Sequence, residues 1–391
     1  MSIQIGEATG FLRLGKKIRA FFVSFSAFYK PKPSYTMKFC RSIHQWGGWI
    51  ALSLLLWAGP LRAQTPSSQP ATYTNPLRLE DGSLIRVADP FVFRYDSLYY
   101  LTGTTRQNSG FDCYSSPDLV HWTFRGEAYT KPEGHPGTAG FWAPEVFVYR
   151  GKFYMTYSSY NPKTRIMLTS LAVADRPEGP YRDLYSPWFD FGYSAIDCHI
   201  FQDDDPEGSL YLYFSRNTSR PGLSIGENYV VRLKPDLSGT IGAPEVAVEA
   251  DQPWEKVNWE ENRANEGAFV FKYNRKYYMT YSANNTGYDH YGVGYAVADD
   301  PMGPWVKAEE NPIMTTDLSR EVSSPGHNSI VFSPDSTERF IVYHRHADPR
   351  VKKPSFDRVV CIDRLVIDPD GRLRVVGPTS TPQPMPSGVV K

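Results

Sequence analysis

Four side chains able to carry a proton or a charge recur at one place in a repeated pattern. Asp89 stands in RVADPFVF, Asp197 in AIDCHIF, Glu266 in NEGAFVF and His327 in GHNSIVF. Each directly precedes a short apolar run, where burying a carboxylate costs several kcal/mol unless it is paired or hydrogen-bonded. A single acid before a proline is ordinary turn chemistry. Here the position repeats: Asp89 and Asp197 lie four residues before Phe93 and Phe201, and Glu266 and His327 lie five before Phe271 and Phe332. Four such residues at matched register point to one shared pocket.

Three carboxylates and an imidazole suit acid–base work on a neutral substrate. Glycoside hydrolysis is such a reaction: one carboxylic acid protonates the leaving oxygen while a second carboxylate activates water or attacks carbon. Their surroundings must keep one protonated and the other ionised at the same pH. A third, ionised acid does this by like-charge repulsion, and Asp197, between the other two along the chain, suits that part. His327 is as well placed to ligate a metal as to take a hydrogen bond. A largely water-coordinated Ca²⁺ would be compatible with one His and nearby oxygens, although imidazole is not its usual ligand.

The elements that must position these residues are β-hairpins. RVADPFVFRYDSLYYLTGT, FWAPEVFVYRGKFYMTYSS, AIDCHIFQDDDPEGSLYLYFS, NEGAFVFKYNRKYYMTYSANN and GHNSIVFSPDSTERFIVYHRH each read as an apolar strand, a polar turn and a Tyr-rich strand. Phe93, Phe147, Phe201, Phe271 and Phe332 take equivalent places at spacings of 54, 54, 70 and 61 residues, which is blade spacing for a propeller. Outer strands repeat too: AVADRPEGPY at 172–181 is matched by AVADDPMGPW at 296–305. No amphipathic helical stretch is visible in 74–391. The expected fold is all-β, a five-bladed β-propeller over residues 74–391, with a pair of β-sandwiches as the weaker alternative. In a propeller the first strand of each blade lines a central channel, so the four polar positions meet at one channel mouth.

Composition narrows the function. Basic and acidic residues balance at 42 each, which leaves no electrostatic case for nucleic acid or an anionic membrane surface. Hydrophobic residues are 41% and aromatic residues 15%, enough for a large core and for flat faces against sugar rings. Residues 37–63, from Met37 through Lys38 and Arg41 and the apolar run 49–58 to Leu61-Arg62-Ala63, have the order of a secretory signal peptide. That makes residues 1–36 an upstream extension and 64–73 a flexible linker, and it predicts a secreted or periplasmic protein with no membrane span once the signal is removed. Cys113, Cys198 and Cys361 then remain, an odd number that reads as buried thiols rather than a disulfide framework. Asn217 and Asn284 head glycosylation sequons. There is no His-Glu-x-x-His, phosphate-cradling glycine loop or Cys-x-x-Cys.

The segments Ala88-Asp89-Pro90, Trp142-Ala-Pro-Glu145, Ile196-Asp197, Asn265-Glu266-Gly267 and Gly326-His327-Asn-Ser329, in this order and spacing, resemble glycoside hydrolase family 43 over residues 74–380. The resemblance implies a five-bladed propeller and inverting catalysis on plant cell-wall glycans containing arabinose or xylose. It implies Asp89 as general base, Glu266 as general acid, Asp197 as the acid that orients and tunes Glu266, and His327 as a channel residue that in many members helps hold Ca²⁺; no cofactor is required for the chemistry. The chain departs from the family in Glu266-Gly267-Ala268, where Glu-Gly-Pro is common, and in Cys198-His199 after the tuning acid.

Further candidates are Trp142 and Phe141 as an apolar wall against the sugar or as core, and Arg345 as a sugar-hydroxyl donor or a counter-charge to the acids. Glu145 lies near the shared position but off its register and is not counted as catalytic. The segment 251–265, with Trp254 and Trp259, is expected to wall one side of the mouth and favour removal of terminal sugars. The expected activity is an exo-acting α-L-arabinofuranosidase. β-D-xylosidase and endo-arabinanase are alternatives, and a non-catalytic glycan-binding propeller is the alternative of another class; it predicts a lost carboxylate, and all three are present.

Overall fold

A computed structural model describes residues 71–389. The upstream extension, the signal segment and most of the linker expected from the sequence lie outside the described residues. Short strands form because apolar residues alternate with polar ones and turn residues interrupt them. Arg150-Gly151 and Asn274-Arg275 all take positive φ, the backbone of a two-residue hairpin turn that matches strand twist.

The first short strand is β1 (Thr72–Tyr73). Blade I follows as β2 (Ala88–Tyr95), β3 (Leu98–Thr104), β4 (Gly110–Ser116) and β5 (Thr123–Thr130). Blade II is β6 (Ala139–Tyr149), β7 (Lys152–Asn161), β8 (Ile166–Ala174) and β9 (Arg182–Phe189). Blade III is β10 (Ala195–Gln202), β11 (Leu210–Arg220), β12 (Leu223–Leu233) and β13 (Thr240–Glu249). Blade IV is β14 (Asn262–Tyr273), β15 (Lys276–Ala283), β16 (Gly292–Ala298) and β17 (Val306–Lys307). Blade V is β18 (Gly326–Phe332), β19 (Arg339–His346), β20 (Arg358–Ile367) and β21 (Leu373–Val376), and β22 (Gln383–Pro384) ends the series. Each blade is an antiparallel meander, and a short parallel pairing of β12 with β14 joins blades III and IV. The first strands touch in a closed ring: β2 on β6, β6 on β10, β10 on β14, β14 on β18, and β18 back on β2. The fold is a five-bladed β-propeller.

Each blade interface has its own apolar core. Leu101 of blade I meets Phe340 and Ile362 of blade V, and Phe111 meets Met155 and Tyr157 of blade II. Leu171 meets Leu212 of blade III, Val230 meets Met279 of blade IV, and Val293 meets Ile341 of blade V. Each fully buried side chain of this size contributes about 1.5–3 kcal/mol. The three described cysteines are free and buried. The linker is shorter than expected, because Thr72 and Tyr73 pair with Pro384 and Gln383. Tyr73 is the cause: its ring enters the core between blades V and I, and its hydroxyl donates to the Ile362 carbonyl at 3.3 Å.

Every first strand opens with a β-bulge. Asp89-Pro90, Ala143-Pro144, Asp197-Cys198, Gly267-Ala268 and His327-Asn328 each set two residues against one on the second strand. The leading residues have φ of 50°, 44°, 56°, 62° and 48°. Bulges re-aim side chains at barrel rims, and a non-glycine residue in this region costs on the order of 1–3 kcal/mol. The bulge corrects the register taken from the phenylalanines. His327 is the counterpart of Asp89 and Asp197, whereas Glu266 stands one residue earlier, level with Ala88, Trp142, Ile196 and Gly326. In blade V the counterpart of Phe93 is Val331, which is buried, while Phe332 is 42% exposed. Blade V has one more residue between bulge and phenylalanine, and strand alternation puts that ring on the other face.

Candidate active site

The channel mouth holds a cavity of about 340 Å³ to which all five blades contribute. Its floor carries Asp89, Asp197, Glu266, His327 and Arg358; its rim carries Gln107, Trp142, Asn217, Thr286 and Phe356. The structure therefore brings together the four polar residues singled out in the sequence and adds an arginine.

Asp89 is clamped. Oδ1 takes the Arg358 Nη1 at 3.1 Å and faces His327 Nδ1 at 3.4 Å, and Oδ2 takes the Thr104 hydroxyl at 2.6 Å. Thr104 in turn accepts the Ala143 backbone N–H at 2.8 Å, tying blade I to blade II. Burial opposes ionisation of Asp89, but Arg358, His327 and the Thr104 hydroxyl outweigh it and hold the carboxyl well below the usual range. His344 also lies 3.4 Å from Oδ1, yet this contact is not an ion pair. Its Nδ1 accepts the Asp89 backbone N–H at 3.0 Å, which leaves Nε2 to donate to Thr286 Oγ1 at 3.0 Å. Burial and Arg358 keep this ring neutral.

Asp197 and Glu266 are in the opposite condition. Asp197 is buried, and its Oδ2 has no hydrogen-bond partner among the described residues. Burial, with repulsion from Glu266, Asp89 and Glu145, overcomes attraction to His327 and pushes its carboxyl up to about 8. Glu266 accepts the Tyr291 hydroxyl at 2.8 Å, and burial raises its carboxyl as well. The two titrate as a pair that holds a proton near neutrality. His327 sits among these acids. Burial would keep it neutral, but Asp89, Asp197, Glu266 and Glu145 draw its proton on more strongly. Gly267 makes room for this ring: a Cβ there would lie 3.2–3.3 Å from His327 ring atoms, at a φ of 62°.

Trp142 lines the cavity, with its indole N–H donating to Gln107 Oε1 at 3.2 Å. Phe141 does not. It is fully buried in the core between blades I and II, stacked on Tyr157, because neighbouring strand residues face opposite ways. Alternation corrects Arg345 too. His344 faces the channel, so Arg345 turns away and donates to the Glu321 carbonyl. Arg358 supplies the cation instead. Trp254 packs into the core between blades III and IV, and Trp259 stacks with Lys256 and Arg263. Neither walls the cavity. Asn284 is 1% exposed with its amide donating to the Trp254 and His290 carbonyls, so it is not an open glycosylation site, and Asn217 lines the cavity. Glu145 lies deeper and pairs with His199 at 2.7 Å.

Arg358, Thr104, His344 and Tyr291 were missed by sequence reasoning. Arg358 had a signal, since it directly precedes the apolar run Val-Val-Cys-Ile, but it opens a third strand rather than a first. Among the described residues, no three His, Cys, Asp or Glu side chains converge to hold an ion. His327 turns Nδ1 to Asp89 and leaves one ring nitrogen, whereas Ca²⁺ takes about six to eight oxygens. Among the described residues the protein's own donors do not form a Ca²⁺ cage.

Residues 83–373 match the family described as glycosyl hydrolases family 43. The chain is 32% identical over 311 residues to an Aspergillus niger protein named beta-D-galactofuranosidase xynD, covering 75% of this chain and 83% of that one. It is 26% identical over 296 residues to an extracellular exo-alpha-(1->5)-L-arabinofuranosidase of Streptomyces chartreusis, covering 71% and 83%. Among solved structures, a thermostable family-43 glycoside hydrolase superposes with a TM-score of 0.76 at 42% identity, covering 81% of this chain and all (100%) of the other. A floor of three carboxylates on a five-bladed propeller, matched along most of its length by enzymes of one kind, places the chain in glycosyl hydrolase family 43.

Proposed function

We propose that this inverting glycosidase removes terminal α-L-arabinofuranose from plant cell-wall polysaccharide, with Asp89 as general base, Glu266 as general acid and Asp197 as the acid that governs the proton on Glu266. One observation carries the reading: the floor holds one carboxyl well below its usual range beside a pair pushed above theirs. That separation is what acid and base need to work at one pH. Arg358 and Thr104 keep Asp89 ionised and aimed, ready to take a proton from water attacking the anomeric carbon. Glu266, with Tyr291 fixing its rotamer, gives its proton to the leaving oxygen. Inversion asks for about 6.5–9.5 Å between the two carboxyls, so that the water fits.

Support for exo action comes from the rim. Gln107, Trp142, Asn217, Thr286 and Phe356 come from different blades and surround the cavity, so the floor suits a chain end better than a chain passing through. A second sugar, β-D-galactofuranose, is favoured by the 32% identical relative; it is also a furanoside. Assays on aryl α-L-arabinofuranoside, β-D-xyloside and β-D-galactofuranoside decide between them. The arabinoside is expected to give the highest kcat/KM. A tenfold preference for either of the others would replace the proposed sugar, and turnover of none would return the chain to a glycan-binding role.

Secretion belongs to the same proposal. Its support is the signal-like segment 37–63 and the word extracellular in the names of relatives, and no described helix is long and apolar enough to cross a membrane. A Ca²⁺ in the channel would have to be held by the His327 ring and water.

A further inference from the structure

Phe356 is a large apolar side chain left 60% exposed, and it stands at the rim of the cavity. An isolated exposed phenylalanine on a loop is unremarkable; this one is held in place. The backbone N–H of Ser355 donates to the Gly287 carbonyl at 2.8 Å, and that of Ala347 to the Asp357 carbonyl at 2.9 Å. Asp357 also pairs with Arg86 of the loop before blade I. The ring lies against Gly287, where an added Cβ would sit 3.2 Å from Phe356 Cζ, and the Arg358 guanidinium lies 5.9 Å from its centre. The segment is thus tied to blades IV and V and to the approach to blade I, while one face of the ring stays open.

Height in the cavity separates Phe356 from the other aromatic rim residue. Trp142 pairs with Ser158 at the level where Glu266 pairs with Ser282, so it stands beside the sugar that is cleaved off. Arg358 is the outermost paired residue of β20, opposite His346, and Phe356 lies two residues beyond it. With five blades closing the floor, whatever follows the leaving oxygen must leave through the mouth, whose rim carries this ring.

We propose that Phe356 is the platform on which the leaving-group sugar stacks, a subsite that selects oligosaccharide over small aglycones. The inference rests on the exo reading above and deepens it. An ordered apolar face loses no further conformational freedom when a ligand covers it, which is why rigid aromatic anchors dominate recognition.

The test compares Phe356→Ala with the wild type on two substrates: α-L-arabinofuranosyl fluoride, which has no leaving sugar, and an arabino-oligosaccharide. The loss in kcat/KM is expected to be about tenfold larger on the oligosaccharide, mostly through KM, as for truncation of a buried anchor. Phe356→Trp is expected to restore it. Equal losses on both substrates would make the ring part of the floor, and no loss on either would make it a bystander; each overturns the proposal. Wild-type turnover of the fluoride tests the sugar itself. Silence there overturns the arabinoside reading alone, and the same ratio is then read on the fluoride and oligosaccharide of the sugar that the aryl-glycoside panel selects.

Discussion

Asn at position 89 lowers kcat on an unactivated oligosaccharide by about 10²–10⁴-fold, the usual share of a general base, and it also destabilises the fold. The second effect is not visible in the sequence, from which a residue at a channel mouth is expected to carry little packing. In the structure Asp89 is the counter-ion of Arg358, which is 8% exposed and has no other carboxylate within ion-pair distance among the described residues. Removing one partner of a buried pair leaves the other uncompensated, at a cost on the order of 3 kcal/mol. The sign with pH follows from the depressed carboxyl. Its stabilising contribution is fully present above the unfolded value near 4 and is lost as pH falls toward the folded value. The stability gap between wild type and Asp89→Asn is therefore largest at neutral pH and narrows below about pH 4. Glu266→Gln is the matched control. It removes the proton donor with a comparable loss of kcat, but Gln still accepts the Tyr291 hydroxyl and no cation loses a sole partner. Its thermal midpoint stays near wild type. Thermal unfolding of both variants across pH, beside initial rates of sugar release, checks this. A near-wild-type rate in either variant removes it from the acid–base pair, and equal midpoints in the two would mean that Asp89 does not balance Arg358.

The repeat was legible because propeller blades are built from the same hairpin, and short hairpins announce themselves through turn residues and alternation. The carboxylates were legible for the opposite reason: each breaks the local rule that an apolar strand has apolar neighbours, and such conflicts concentrate at functional sites. What failed was register. All five first strands carry the same bulge, but blade V has one more residue between the bulge and its phenylalanine, so Phe332 looked equivalent to Phe93 when Val331 is. The same limit governs Phe141 against Trp142 and Arg345 against His344. Each pair is adjacent in the sequence, and only the pleat decides which member meets the channel. Arg358 and Thr104 escaped for another reason. Arg358 comes from a third strand, and its place beside Asp89 depends on how blades V and I close the ring, whereas Thr104 pairs with Ala88 across the first hairpin, at a bulge that the sequence does not mark.

The expected result for Asp197→Asn survives a revision that the structure imposes. From the sequence, Asp197 was to be the charged neighbour that keeps Glu266 protonated. In the fold Asp197 is itself pushed up to about 8, with one oxygen unpartnered, so near neutrality the two carboxyls share a proton. The direction of the effect does not change. Catalysis needs the pair's last proton, available at Glu266, and in the wild type losing it means creating a second negative charge beside the first. With Asn at 197 there is no second charge, so Glu266 gives up its proton at lower pH. The alkaline limb of the pH–rate profile moves down, and the rate lost is greater on an oligosaccharide than on an aryl glycoside of an acidic phenol, whose leaving group needs little protonation. Stability moves the other way. A carboxyl raised in the fold above its unfolded value takes up a proton on folding, so the wild type loses stability as pH climbs from about 4 to about 8, by up to about 1.4 kcal/mol per unit. Asp197→Asn removes that loss, and its advantage in thermal midpoint grows across the same window. An alkaline limb that stays in place, with equal losses on both substrates, would show that Asp197 binds sugar hydroxyls rather than governing the proton. A midpoint advantage that did not grow with pH would show that the buried carboxyl is already compensated in the folded channel.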